Sequence, residues 1–245
     1  MGPAVRTPRK VRRLAPPRDV GPWLAALAVA VPEPRCELDF RDPFELLIAT
    51  QLSAQSTDAM VNKVTPELFR RWPDAAAMAG ADPAEMEAVL RPTGFFRQKT
   101  RHAIETARRL VAHHAGRVPA DMAALTALPG VARKTANVVL GTAFGVQSGV
   151  TVDTHVFRVT GRWGWQAEKT AEKVEPLLME AVPRAQWSDF GHRVVLFGRH
   201  HCTARAPKCG ECPLSGLCPA AAAPRGDPGS RPDRSRRGAP NVHIG

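Results

Sequence analysis

Apolar residues recur at three- and four-residue intervals over most of the chain, which is the period of an amphipathic α-helix. Asp42-Pro43-Phe44-Glu45 opens one such stretch, with a capping Asp, a Pro at the first helical position and a Glu at the third. Phe44, Leu47, Ile48 and Leu52 then share one face. Thr65-Pro66 and Asp82-Pro83-Ala84-Glu85 carry the same start signal and predict two more helices. A longer helix is predicted from Phe96 to His114, with Ile104, Leu110 and Val111 apolar and Gly116 ending it. Further helical stretches are predicted over 133–143, 154–160, 168–181 and 186–200. No segment alternates with period two between hairpin turns, and no internal repeat is visible, so the expected fold class is all-α.

Composition narrows the picture. The chain has 245 residues and is 44% apolar, which is enough for one large domain or two small ones. Neither terminus has a 15-residue apolar run and no run of about 18 occurs. The expectation is therefore no signal peptide, no membrane span and a cytoplasmic location. The net charge of +11 points to a polyanionic partner. Most of that charge lies in the ends. Residues 1–18 hold six Lys/Arg and no acid, and residues 220–245 carry a net +3, leaving +2 for the rest. Both ends are rich in Pro, Gly and Arg and are expected to be disordered basic tails. Any polyanion site in the folded part must then come from local placement of charge.

Two local patterns carry chemistry. Four of the five cysteines, Cys202, Cys209, Cys212 and Cys218, fall within 17 residues at spacings of x6, x2 and x5. So tight a cluster reads as a metal site, and four thiolates suit either zinc or a 4Fe–4S cluster. The fifth, Cys36, is expected to be a half-buried free thiol without a role. The other pattern is Leu128-Pro129-Gly130-Val131-Ala132, a turn between helical stretches, followed by Arg133-Lys134-Thr135. A Pro-Gly turn that opens a helix presents free N–H groups at a positive helix end, where a phosphate fits. Taken alone, the turn also reads as an ordinary connector, Lys134 as a solvated lysine, and Asp153 as the N-cap of a helix from Thr154.

The run LPGVARKTANVVLGTAFG at 128–145, VDTHVFRV at 152–159, QLSAQSTD at 51–58 and the cysteine spacing stand in one order over residues 20–219. Together they resemble the endonuclease III family of helix-hairpin-helix DNA glycosylases. One departure is Ala132, where the family has Gly. The resemblance implies two helical lobes with a helix-hairpin-helix motif and a 4Fe–4S cluster loop. One lobe would span 37–147, and the other would join 19–35 to 148–219. It implies that Lys134 is the nucleophile and Asp153 its charge partner, meeting at the cleft between the lobes, and that the four clustered cysteines hold 4Fe–4S rather than zinc. It also implies that Gln55 fills the gap left by an extruded base and that Phe95 is an apolar wedge, although Phe95 alone also reads as ordinary core. His155, which follows Asp153, is expected either to line the pocket or to stabilise its helix. Gly130 and Ala132 belong to the phosphate-binding hairpin.

A lysine attacks as the neutral amine, a form that partial burial and the positive helix end favour. Closing the first cysteine loop on a rigid metal site would fix Arg205 and Lys208 for phosphate contact, and Arg199, just before it, is a third candidate. The function expected is base-excision repair: removal of oxidised pyrimidines and cleavage of the abasic strand through a lysine Schiff base. The partner would be double-stranded DNA carrying damaged bases or abasic sites, bound by a monomer associated with the nucleoid. Two competitors are a monofunctional glycosylase and a damage-binding protein without catalysis. Lys134 argues against the first, and the retained Lys134 and Asp153 argue against the second. Ala132 and the Phe95-Phe96 pair leave room for weakened activity.

Overall fold

A computed structural model describes residues 15–222, so the basic ends fall almost wholly outside the described residues. All regular structure among the described residues is helical. The order is α1 (Gly21–Ala30), α2 (Pro43–Leu52), α3 (Asp58–Arg71), α4 (Ala75–Ala79), α5 (Pro83–Leu90), α6 (Phe96–His114), α7 (Met122–Thr126), α8 (Arg133–Phe144), α9 (Thr154–Arg162), α10 (Ala171–Ala181), α11 (Trp187–His200) and α12 (Pro219–Ala222). Short 3₁₀ turns lie at Arg91–Thr93, Arg184–Gln186 and Cys209–Glu211.

Two apolar clusters organise these helices. One gathers side chains from Leu38 to Leu140, chiefly on α2, α3, α6 and α8. The other joins Val20, Trp23, Leu27 and Val31 of the α1 region to Val150 through Leu214. Its centre is aromatic: the Trp23, Trp163 and Trp165 rings meet pairwise at 5.2–5.3 Å, and Trp165 stacks on Phe190. The chain thus leaves the second cluster after α1, builds the first through α8, and returns.

The start of α2 follows its sequence signal. Asp42 accepts the Glu45 N–H at 2.9 Å, and Glu45 accepts the Arg41 N–H at 2.7 Å. The expected amphipathic face is not what forms, however. Phe44 to Ala49, Gln51 and Leu52 are all buried, because α3, α6 and α8 surround the helix. Leu46, Leu47 and Ile48 have no exposed surface, and truncating any of them to Ala would cost about 2–5 kcal/mol.

Thr65-Pro66 does not begin a helix. α3 starts earlier, where the Thr57 side chain accepts the Met60 N–H at 3.2 Å, and runs through Pro66. Proline inside a helix costs about 3 kcal/mol. Burial of Val61, Val64, Thr65, Leu68 and Phe69 on one side of α3 offsets it. α10 likewise passes through Pro176 and starts at Ala171, three residues later than expected, because Thr170 takes extended N-cap geometry. The short helices α4 and α7 are absent from the sequence expectation, although each starts at a capping aspartate, Asp74 or Asp121.

Candidate active site

The hairpin joins α7 to α8. Gly130 has φ of +71°, a left-handed conformation that glycine adopts without a steric cost. A Cβ there would also fall 2.5 Å from His102 Nδ1. The turn is fastened from below by the buried Gln51, whose Nε2 donates to the Pro129 carbonyl at 2.7 Å and to Thr106 Oγ1 at 2.9 Å. Ala132 is the N-cap of α8, with φ −81° and ψ 167° and no side-chain capping bond. The first helical donor is the Ala136 N–H, to the Ala132 carbonyl at 3.0 Å. The N–H groups before it stay free for an anion.

Lys134 stands in the first turn of α8. Asp153 is the N-cap of α9, and its Oδ1 accepts the His155 and Val156 N–H groups, both at 2.8 Å. The two side chains line one cavity of about 100 Å³, together with Cys36, Asp58, Val138 and Arg199 among others. They reach it from helices that root in different apolar clusters. A carboxylate held by two N–H groups through one oxygen has its rotamer fixed, and no hydrogen bond among the described residues takes the other oxygen. Lys134 differs from expectation in one respect: it is exposed, not partly buried. Water therefore reaches the amine.

Two side chains expected at the site are placed otherwise. His155 does not line the Lys134–Asp153 cavity. It faces the adjoining groove with Ser56, Thr57, Asp58 and Asn62, because two residues along a helix turn a side chain by about 200°. Burial and the neighbouring Arg158 hold its imidazole below the usual value, against the pull of Asp153. Arg199, expected on phosphate, is half-buried and paired with Glu37 and with Asp58, the latter at 2.7 Å. The last turn of α11 aims it across the cleft, where both carboxylates take it. Burial opposes the charge of Glu37, but the Arg199 guanidinium outweighs that and keeps its carboxyl below the usual range.

A second bridge crosses the cleft beside Lys134. Glu175 of α10 takes Arg133 at 3.0 Å and the Asn137 side-chain amide at 2.9 Å. Sequence reading missed Glu175, Arg133 and Asn137 as a group, since nothing in local pattern links 133–137 to 175. Cys36 is the half-buried free thiol expected, but its place on the wall of the cavity has no signal in the sequence.

Gln55 and Phe95 lie at exposed loop tips, and both have positive φ, 54° and 47°. Phe95 is 62% exposed, so it is not a core residue. Non-glycine residues in this region carry strain of about 1 kcal/mol or more; the other such residue among those described, Ala115 at φ 52°, ends α6. Arg205 and Lys208 are exposed in the loop between the first two clustered cysteines.

The four clustered cysteines line one cavity of about 70 Å³, walled by Trp163, Phe197 and His201. Arg162 ties the loop down, donating to the Thr203 and Ala204 carbonyls at 2.7 Å and approaching Cys202 Sγ at 3.3 Å. Four thiols converging on one part-apolar cavity, with a cation beside a sulfur, fit an anionic four-thiolate iron–sulfur centre.

Residues 48–184 match the model of the HhH-GPD superfamily of base excision DNA repair proteins, and 202–218 match the iron–sulfur binding domain of endonuclease III. The fold and site therefore define a helix-hairpin-helix base-excision repair enzyme. The endonuclease III of Synechocystis sp. is 48% identical over 82% of this chain and 91% of its own length. That of Escherichia coli K12 is 46% identical over 76% of this chain and 88% of its own. A solved structure of a trapped endonuclease III–DNA covalent intermediate superposes with a TM-score of 0.77 at 44% identity, covering 81% of this chain and 93% of that one. The chain belongs to the endonuclease III family, a DNA glycosylase with abasic-site lyase activity and a 4Fe–4S cofactor.

Proposed function

We propose that Lys134 and Asp153 carry this activity on oxidised pyrimidines in double-stranded DNA. The observation that carries the reading is their meeting: a first-turn lysine and a rigidly capped aspartate, from helices of different apolar clusters, line one cavity. A target nucleotide turned out of the stack would put its C1′ there. The Lys134 amine attacks C1′, and the base departs with the electron pair of its glycosidic bond and gains a proton. The ionised Asp153 faces the positive charge that develops on the sugar and takes protons from the amine. The C1′–O4′ bond of the resulting aminal then breaks, O4′ gaining a proton from Asp153, and the Schiff base so formed acidifies C2′. Loss of a C2′ proton expels the 3′ phosphate by β-elimination, and hydrolysis of the Schiff base frees Lys134.

Around this centre, the α8 N–H groups behind Gly130 and Ala132 take a backbone phosphate, Gln55 and Phe95 enter the stack, and Arg205 and Lys208 meet phosphates beyond. The four cysteines hold the cluster, which when bound cross-links the loop carrying those two cations. The protein works as a monomer on chromosomal DNA. Borohydride reduction tests the nucleophile: wild type should be trapped covalently on an abasic or thymine-glycol duplex. Lys134→Gln should give no adduct and keep most DNA affinity. Undiminished trapping in that variant would remove Lys134 from the mechanism.

A further inference from the structure

Lys99 is a buried residue in the first turn of α6, 7% exposed, and forms no ion pair among the described residues. Its Nζ donates to one acceptor, the Thr93 carbonyl, at 2.8 Å. Burial alone pushes the ammonium below the usual lysine value. An ammonium kept from water with a single neutral acceptor is expensive. Methionine would fill the same space without that cost, so packing does not explain a lysine here.

The acceptor explains it. The Thr93 carbonyl also takes Ser56 Oγ at 2.9 Å. Ser56 follows Gln55, and Thr93 precedes Phe95 by two residues, with Gly94 between them at φ +67°. Lys99 lies one turn after Phe95, and its own N–H donates to the Phe95 carbonyl at 3.1 Å. One backbone oxygen thus joins the two loops whose exposed tips hold the strained, left-handed residues Gln55 and Phe95. Left-handed residues persist only where surroundings over-determine them, and these bonds supply that constraint.

We propose that Lys99 and Ser56 are positioning residues: through the shared Thr93 carbonyl they fix the spacing of the Gln55 and Phe95 tips, and so set the efficiency of base extrusion. The inference rests on the reading of those tips as the elements that enter the base stack. It assigns Lys99 no contact with DNA or with the reacting atoms.

Extrusion matters most where a base is still stacked, and least where none remains. That separates two activities of one protein. The full chain with its cluster would be assayed in single turnover on a thymine-glycol duplex and on the same duplex with a pre-formed abasic site. Lys99→Met should slow base excision about 10- to 100-fold, the worth of one charge-assisted hydrogen bond. Cleavage at the abasic site should slow by less than about threefold, because no base has to leave the stack. Ser56→Ala should show the same selectivity with a smaller loss. The double variant should be no worse than Lys99→Met, since both donors act through one carbonyl. A 2-aminopurine beside the lesion should brighten on binding wild type and less on binding either variant.

Equal losses on both substrates, an additive double variant, or unchanged excision with Lys99→Met folded would each overturn the proposal. If circular dichroism shows that Lys99→Met does not fold, Ser56→Ala decides alone, and full excision there overturns it. If wild type excises no base from any lesion duplex, it is the functional reading that fails. The 2-aminopurine signal beside thymine glycol, which needs no chemistry, then judges the positioning role by itself.

Discussion

The hairpin at 128–132 and the cysteine loop at 202–218 are held in shape by opposite means. The hairpin rests on protein. Leu128 and Val131 are buried, the Val131 N–H bonds to the Leu128 carbonyl at 3.2 Å, and Gln51 pins Pro129. The cysteine loop has one buried apolar side chain, Leu214, and is otherwise short turns fastened by Arg162. One loop inherits its shape from a core formed elsewhere. The other has too little core of its own, and its shape has to come from the metal. Asp153 sits where the two constructions meet, on a helix that packs into the aromatic cluster yet faces the hairpin's lysine.

The largest effect should come from that meeting point. Asp153→Asn keeps an N-cap and its shape but loses the charge. Base excision should fall by about 10²- to 10⁴-fold, with the melting temperature nearly unchanged because Asn caps almost as well. Steady excision by a correctly folded Asp153→Asn protein would reduce Asp153 to a capping residue and leave Lys134 without a charge partner.

Replacing one clustered cysteine should disturb one of the two loops only. In Cys212→Ser the brown colour and the iron content should drop, and amide exchange should rise across 202–218. Exchange in the hairpin and α2 should hardly move. If protection is lost equally in both regions, the cluster belongs to a single cooperative core and the two loops are not held by different means.

Most of this contrast is legible in the amino-acid sequence, and the exceptions have physical reasons. Helix starts with an aspartate cap and proline are legible because the cap is a local bond. Thr65-Pro66 misleads because burial along α3 overrides a local signal, and α2 misleads because period alone does not say how many neighbours surround a helix. Motif and spacing single out Lys134, Asp153 and the cysteines, and the structure brings the first two to one cavity and the four thiols to another. Glu175, Lys99 and the Arg199 pairs escape it, because each depends on partners 6 to 162 residues away. His155 and Arg199 depart from expectation for the same reason: sequence gives proximity along a helix but not the direction a side chain takes.

A smaller effect separates the two phosphate sites. Arg205→Ala with Lys208→Ala removes two exposed cations from the cysteine loop and leaves the hairpin untouched. Binding to undamaged duplex should weaken. The salt slope of log K should become shallower by about 0.9 per phosphate that the variant no longer neutralises. Discrimination for the lesion should survive, since it belongs to the tips and the cavity. A slope that stays at the wild-type value would mean that neither cation meets DNA.

The smallest effect concerns Ala132, the residue at which the hairpin departs from the family. Its φ of −81° is open to any L-residue, so the alanine carries no backbone strain and glycine is not required for conformation. What remains is the methyl group, exposed at the helix end where a phosphate would sit. Ala132→Gly removes it, and an abasic-analogue duplex should bind a few-fold tighter, on the order of 1 kcal/mol for one improved hydrogen bond. The same change loosens the unfolded chain, but glycine caps a helix better than alanine, so stability should change by only about a few tenths of a kcal/mol. Ala132→Ser sharpens the point. As an N-cap it should add roughly 1 kcal/mol of stability by accepting one of the free N–H groups of α8, the same groups offered to the phosphate. Serine should therefore raise the melting temperature and weaken binding, and glycine should tighten binding with little change in melting temperature. If serine raises the melting temperature and binds as tightly as alanine, the phosphate does not compete for the α8 N–H groups, and the hairpin binds DNA by some other contact.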